Sequence, residues 1–151
     1  MAARFSPPKD KTDLIRELTG DDSPFPEYKD LLFFAAVVGY HMKRREPLKG
    51  KGEGIRWETM CNREGTQELT DMIAAIEYPD DPSILTNERL PDRIAILEEY
   101  ANGGLSVLRE RWASAGPVGK EVLFVTLIRE ALDAGAGGSD EMRLIDRLLK
   151  L

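Results

Sequence analysis

The feature that most constrains the fold is an apolar run of ten residues, LLFFAAVVGY, at positions 31–40. Ten residues are too few to span a bilayer, so the run predicts a segment buried inside a protein core. A buried strand is the competing interpretation for so short a run. An acidic start, a basic end and a central alanine pair favour a helix from Glu27 to about Lys43, enclosed by its neighbours.

A second helix is predicted by the stretch GTQELTDMIAAIEY, with Thr66 as its N-cap. Leu69, Met72, Ile73 and Ile76 recur at the i, i+3, i+4, i+7 spacing of one helix face. Such a stripe is typical of an amphipathic helix.

Glycine and proline divide the second half of the chain. DRIAILEEYANGG predicts a helix that ends before Gly103, and LSVLRERWASAGP predicts a separate short helix after it. Pro117 then begins a helix that stops near Gly135 and packs beside the apolar run, and Ser139 caps a terminal helix. The intervening PDDPSILTNERLP, with its three prolines, predicts a surface loop.

The predicted fold class is all-α, an irregular single-domain bundle of about six or seven helices over residues 1–151. The stretch GIRWETM leaves room for a minor β element near residues 55–57. A composition of 42% hydrophobic and 32% charged residues fits a folded chain rather than a disordered one.

Several common chemistries have no support in this sequence. With one cysteine, Cys61, and one histidine, His41, the chain has neither an intramolecular disulfide nor a zinc site built from Cys and His. We interpret His41 as a cap or surface residue and Cys61 as a half-buried bystander. No catalytic residue, metal or cofactor is therefore predicted. The first residues lack the apolar core of a signal peptide, so we expect a cytoplasmic location.

Two other functions stay open at this stage. A metal-dependent nuclease would use acids such as Asp80, Asp81 or Glu27, since carboxylate oxygens suit Mg²⁺. Acid pairs between prolines are also ordinary turn residues, which counts against this function. A small DNA-binding regulator would need two short helices in a helix-turn-helix, but DRIAILEEYAN offers mostly glutamate to a DNA groove.

The segment KRREPLKGKGEGIRWE contrasts with the rest of this acidic chain. Between His41 and Trp57 the net charge is +4 within a total of -6, so the remainder of the chain carries -10. The glycines of this segment match neither the P-loop nor the dinucleotide pattern. We interpret residues 43–56 as a mobile basic loop that binds nucleic acid or a partner, with Trp57 available to stack on a base. The predicted binding residues are Lys43, Arg44, Arg45, Lys49, Lys51, Arg56 and Trp57.

Three stretches, KDKTDLIRELTG, FPEYKDLLFFAAVVGY and GIRWE, resemble in that order the DNA phosphorothioation (Dnd) system-associated protein 4 family. The resemblance implies an accessory part in sulphur-modification-linked restriction, a defence against foreign DNA. It carries over no catalytic residue. It raises the expectation of a DNA-related partner without showing contact with DNA.

We therefore expect a non-catalytic accessory protein. Its partners would be larger protein components of a DNA modification or restriction system, with DNA as a further partner through the basic loop and no membrane. The sequence leaves the oligomeric state open.

Overall fold

The computed structural model describes residues 3–114 and 120–136, with side chains for residues 3–114 and 122–130. Six α-helices and one two-stranded antiparallel ladder lie within these residues, which confirms the predicted all-α class and its minor β element. The elements are β1 (Arg4–Phe5), α1 (Thr12–Glu17), α2 (Tyr28–His41), β2 (Ile55–Arg56), α3 (Trp57–Met60), α4 (Thr66–Glu77), α5 (Leu90–Ser114) and α6 (Lys120–Ala136). Short 3-10 turns lie at Lys9–Lys11, Pro82–Leu85 and Asn87–Arg89. The single domain over residues 1–151 stays a prediction.

The core is built around the crossing of α2 and α5, the most extensive helix pair in the described part of the chain. Glycines allow the two backbones to touch. A Cβ on Gly104 would lie 1.7 Å from the Ala35 carbonyl oxygen, and one on Gly39 would lie 2.0 Å from the Tyr100 carbonyl oxygen. Since no side chain fits at these positions, the glycines set the distance between the helices.

The prediction of two helices separated at Gly103 is wrong, because α5 continues without a break from Leu90 to Ser114. The pair Gly103 and Gly104 is typical of a helix end, and each glycine costs about 1 kcal/mol within a helix. Here both are buried against the neighbouring backbone. Tertiary packing therefore outweighs the local preference.

The helix predicted over the GTQELTDMIAAIEY stretch is α4, and its apolar face is only partly buried. Ile73 is buried, but Met72 and Ile76 have 43% and 42% of their surface exposed. The buried Arg93 of α5 accounts for this rotation, because its Nε donates to Asp71 at 2.8 Å and so holds the polar side of α4 against α5. A buried guanidinium needs such a partner.

The start of α4 also differs from the prediction. Thr66 is the first helical residue rather than the N-cap, and Gly65 precedes it with a φ of +92°. Thr66 is buried, and its backbone carbonyl oxygen accepts a hydrogen bond from the Thr70 hydroxyl at 2.7 Å.

The predicted packing of a late helix beside the apolar run is confirmed by α6. The Phe124 ring meets Phe25 and Phe34 edge-on, with centroid distances of 4.9 and 5.5 Å. Pro117 and the helix predicted after Ser139 lie outside the described residues. Among the helices that are described, none has the length and apolarity to cross a membrane.

Candidate nucleic-acid interface

Residues 43–56, here called the basic strap, begin just after α2, cross the surface of α5 and end with β2. Predicted as a mobile loop, the strap is held by its backbone at several points. The Glu46 amide donates to the Glu99 carbonyl at 3.0 Å, and the Arg44 amide donates to the Gly39 carbonyl at 2.8 Å. The Asn102 side-chain amide donates to the carbonyls of Glu46 and Pro47 at 3.1 and 3.2 Å. The first half of the strap is thus fixed to α5.

The two arginines of this first half are paired with glutamates. Arg44 donates to both carboxylate oxygens of Glu110, at 2.8 and 3.0 Å, and to Glu46 at 3.0 Å. These bonds lower the pKa of the Glu110 carboxyl, chiefly through the hydrogen bond from Arg44. Arg45 donates from Nε to Glu99 at 2.6 Å. Bidentate and short ion pairs of this kind fix orientation, so these arginines anchor the strap and offer little free charge.

The second half of the strap runs antiparallel to the N-terminal segment, residues 4–9. Arg4 lies opposite Arg56 in the β1–β2 ladder, and Pro8 forms a bridge with Lys51. The Lys9 amide donates to the Gly50 carbonyl at 3.0 Å. Cations separated by more than forty residues in sequence are thereby brought side by side.

We call the five cations at this junction the basic patch: Arg4, Lys9, Lys49, Lys51 and Arg56. All five are exposed. Within the described residues Lys9 and Lys49 make no ion pair, while Lys51 lies 3.5 Å from Glu98 and Arg56 lies 3.5 Å from the exposed Glu58. Because ion pairs at this length are weak, the patch keeps most of its positive charge for an external anion.

The sequence interpretation missed Arg4 and Lys9. No local signal marks them, since their place in the patch depends on the pairing of the N-terminal segment with the strap. The buried Lys11 was also missed. Its ammonium donates to the side-chain amide oxygen of Asn102, and burial lowers the pKa of Lys11. Lys11 and Asn102 together connect the N-terminal segment, α5 and the strap.

A shallow pocket of about 130 Å³ borders the basic patch. Its lining residues are Ala3, Arg4, Lys51, Pro91, Ile94, Ala95 and Glu98. Glu98 is buried and its carboxylate accepts the Ser6 amide, yet burial raises the pKa of this carboxyl. The pocket therefore combines two cations, a buried carboxyl group and an apolar wall.

Two of the predicted binding residues lie elsewhere. Trp57 is only 6% exposed, and its indole N–H donates to Gln67 at 2.8 Å. The ring belongs to the core, so the predicted stacking on a base does not fit this structure. Lys43 is exposed just after α2, with a φ of +56°, and no contact in the described residues joins it to the basic patch.

The acids considered for a nuclease have structural partners. Asp81 accepts the Ser83 amide at 3.2 Å, which caps the turn Pro82–Leu85, and accepts from Arg89 at 3.0 Å. The pKa of Asp81 is lowered chiefly by a hydrogen bond from the Ser83 hydroxyl and next by the bond from Arg89. Asp80 is exposed beside it. Among the described residues no group of three His, Cys, Asp or Glu side chains is arranged to hold a metal ion.

Glu27, Cys61 and His41 complete the residues considered from sequence. Glu27 lies 3.3 Å from the Lys29 ammonium. Cys61 is half-buried, and burial raises the pKa of its thiol, which opposes nucleophilic use. The His41 ring contacts Tyr40, with 5.9 Å between centroids.

The fold and this surface define a small helical protein with a concentrated cationic patch. The chain matches the family DNA sulphur modification system-associated protein 4 over residues 4–146, nearly its whole length, and belongs to that family. The family's name associates the protein with a DNA sulphur modification system, as the sequence resemblance implied. A search of curated proteins and a search of solved structures each found no match.

Proposed function

We propose that this chain is a non-catalytic accessory component of phosphorothioation-dependent restriction, which contacts the DNA backbone through the basic patch and other components through protein contacts. The observation that supports this is the convergence of two segments, residues 4–9 and 49–56, into one exposed cationic surface. Membership of a DNA sulphur modification family supports the choice of DNA as the polyanion in this proposal.

The arrangement of charges suits backbone contact rather than base reading. Lysine and arginine side chains neutralise phosphates whatever the sequence, and counterion release supplies much of the affinity. The paired arginines Arg44 and Arg45 hold the strap in place, so that Lys49 and Lys51 stand at fixed positions. Pre-organised cations lose less entropy on binding than cations on a free loop.

The deciding experiment measures how the affinity for DNA depends on salt concentration, by fluorescence anisotropy on a short labelled duplex. The variant Lys9→Ala with Lys49→Ala should bind about tenfold more weakly and reduce the slope of log K against log salt by about 1 to 2. The matched control is Arg16→Ala with Arg129→Ala, which removes two exposed cations from α1 and α6. The control should bind as the wild type does. Equal losses in both variants would contradict a role for this patch.

A second experiment tests the accessory part of the proposal. The full chain, purified with the other protein components of the system, should co-elute with at least one of them and should leave DNA intact in Mg²⁺ or Mn²⁺. DNA cleavage by the chain alone, lost on Asp80→Ala with Asp81→Ala, would show that a nuclease function is correct instead.

A further inference from the structure

The outward face of α4 carries apolar residues that the fold leaves uncovered. Leu69, Met72 and Ile76 follow the i, i+3, i+7 spacing of one helix face. Met72 and Ile76 are each more than two-fifths exposed, whereas Leu69 is half-buried and packs against the core at the edge of this face. Tyr78 and Leu85 are exposed large side chains just beyond the helix. We call Leu69, Met72 and Ile76 the α4 stripe.

The rotation of α4 is fixed by contacts that would resist turning the stripe inward. Asp71 accepts from the buried Arg93 at 2.8 Å, and Gln67 donates to the same carboxylate oxygen at 2.9 Å. Rolling the helix to bury Met72 would break the Arg93 pair and leave a buried guanidinium without its carboxylate, at a cost well above the gain from one side chain. Met72 and Ile76 are therefore held on the exposed side of α4, next to the half-buried Leu69.

The surroundings of the stripe are strongly acidic. Residues 57–81 contain seven carboxylates and one cation, Arg63. In the described part of the chain, Glu64, Glu68 and Asp80 are exposed and make no ion pair. Burial is the main cause of the raised pKa of the Cys61 thiol. The negative charges of Glu68, Asp71 and Glu58 raise this pKa further, as expected where several carboxylates lie close together.

We propose that the α4 stripe docks a basic amphipathic helix of another protein. Apolar anchors at i, i+3 and i+7 are the usual means by which one helix binds the apolar face of another. The carboxylates beside the stripe complement lysine or arginine on such a helix and repel acidic ones. A second copy of this chain fits poorly, because a two-fold interface would place the same acidic surface against itself. The α4 stripe shares no residue with the basic patch, so peptide docking and DNA binding are tested with different variants.

The test uses two synthetic helical peptides of eighteen residues with the same leucine stripe, one flanked by lysine and the other by glutamate. Each is titrated into the full chain and followed by fluorescence anisotropy. The lysine peptide should bind at least about tenfold more tightly than the glutamate peptide. The variant Met72→Gln with Ile76→Gln should weaken the lysine peptide by about tenfold or more. Equal binding of both peptides would overturn the proposal.

The chain offers a matched control on α6, where Val122 and Ile128 are 54% and 46% exposed. Val122→Gln with Ile128→Gln removes as much exposed apolar surface and should leave peptide binding unchanged. Glu64→Gln with Glu68→Gln should weaken the lysine peptide and reduce its salt dependence. Thermal melts check that every variant is folded. If α4 and α6 variants lose binding equally, the stripe has no specific role.

A cross-linking experiment identifies the occupant. The variant Met72→benzoylphenylalanine is irradiated with the purified protein components of the system, and the linked peptide is sequenced by mass spectrometry. The expected product is a peptide of another component with apolar residues at helical spacing between lysines or arginines. A link to a second copy of this chain, with a dimer in sedimentation that Met72→Gln with Ile76→Gln dissociates, would overturn the proposal.

Discussion

Arg4 and Arg56 lie directly opposite each other across the antiparallel ladder of β1 and β2. Residues opposite one another project to the same side of a ladder, so two positive charges share one exposed surface. Arg4 donates to the Gly54 carbonyl at 3.0 Å, and Arg56 lies 3.5 Å from Glu58. Like charges directly opposite each other in a ladder repel, and an anionic ligand bound beside both guanidinium groups would reduce that repulsion.

This pairing predicts opposite effects on stability and binding. Arg56→Thr removes the like-charge pair and keeps a good strand residue, so the free energy of unfolding should rise by about 0.2–0.5 kcal/mol. The same variant should bind DNA more weakly. Urea denaturation and anisotropy measure the two effects. Arg56→Lys keeps the charge and serves as the control, with both properties near wild type. A variant that loses stability but keeps DNA affinity would contradict the prediction.

The helix crossing predicts the effect of one methyl group. Gly104→Ala would place a Cβ 1.7 Å from the Ala35 carbonyl oxygen, so the free energy of unfolding should fall by about 2–3 kcal/mol despite the better helix propensity of alanine. Gly50→Ala in the strap is the control. Its Cβ would meet only Lys9 carbons at 3.7 Å or more, and the change should stay within about 0.5 kcal/mol. A neutral Gly104→Ala would show that α2 and α5 do not touch.

The buried Glu98 predicts a pH dependence of stability. Burial raises the pKa of this carboxyl above its usual 4.5, so just above pH 4.5 the folded chain keeps a proton that the unfolded chain has lost. The native state then binds more protons, and the stability contributed by this group falls as the pH rises through that window. Glu98→Gln removes this loss. Its stability relative to wild type should therefore increase from pH 4.5 upward in urea denaturation.

Glu110→Gln is the control of opposite sign. Arg44 lowers the pKa of Glu110, so the stability that this carboxylate contributes is present above its unfolded pKa and is lost as the pH falls through the folded value. The variant should be less stable than wild type near neutral pH, and the difference should shrink in acid. Two variants with the same pH trend would refute these opposite assignments.

The position of Trp57 predicts a spectroscopic result. Trp112→Phe leaves Trp57 as the only tryptophan, because the chain has two. A ring that is 6% exposed should emit at short wavelength, resist iodide quenching and keep its emission when DNA binds. Strong quenching by DNA would instead support the stacking role expected from sequence.

The sequence predicted the helical class because its apolar patterns are strong, and the run at 31–40 lies within α2 as expected. It was wrong at Gly103, because the continuous helix depends on contacts with the distant Arg44 and Ala35 carbonyls. It did not show which part of the apolar face of α4 is buried, because that depends on the contact with Arg93. The cationic strap was visible from composition. Composition did not show that Arg4 and Lys9 extend this cationic surface, because strand pairing brings them beside the strap. Composition also does not show which cations of the strap are neutralised by ion pairs.

The missing side chain at Gly103 has a consequence for the surface. A Cβ there would lie 1.9 Å from the Arg44 carbonyl oxygen, at the start of the strap. Any larger residue would push that end of the strap outward and change the spacing between its lysines and those of the N-terminal segment. The positions of the cations that an approaching anion would meet therefore depend on the absence of a side chain at Gly103. An uncharged substitution in the core would change those positions without changing any charge.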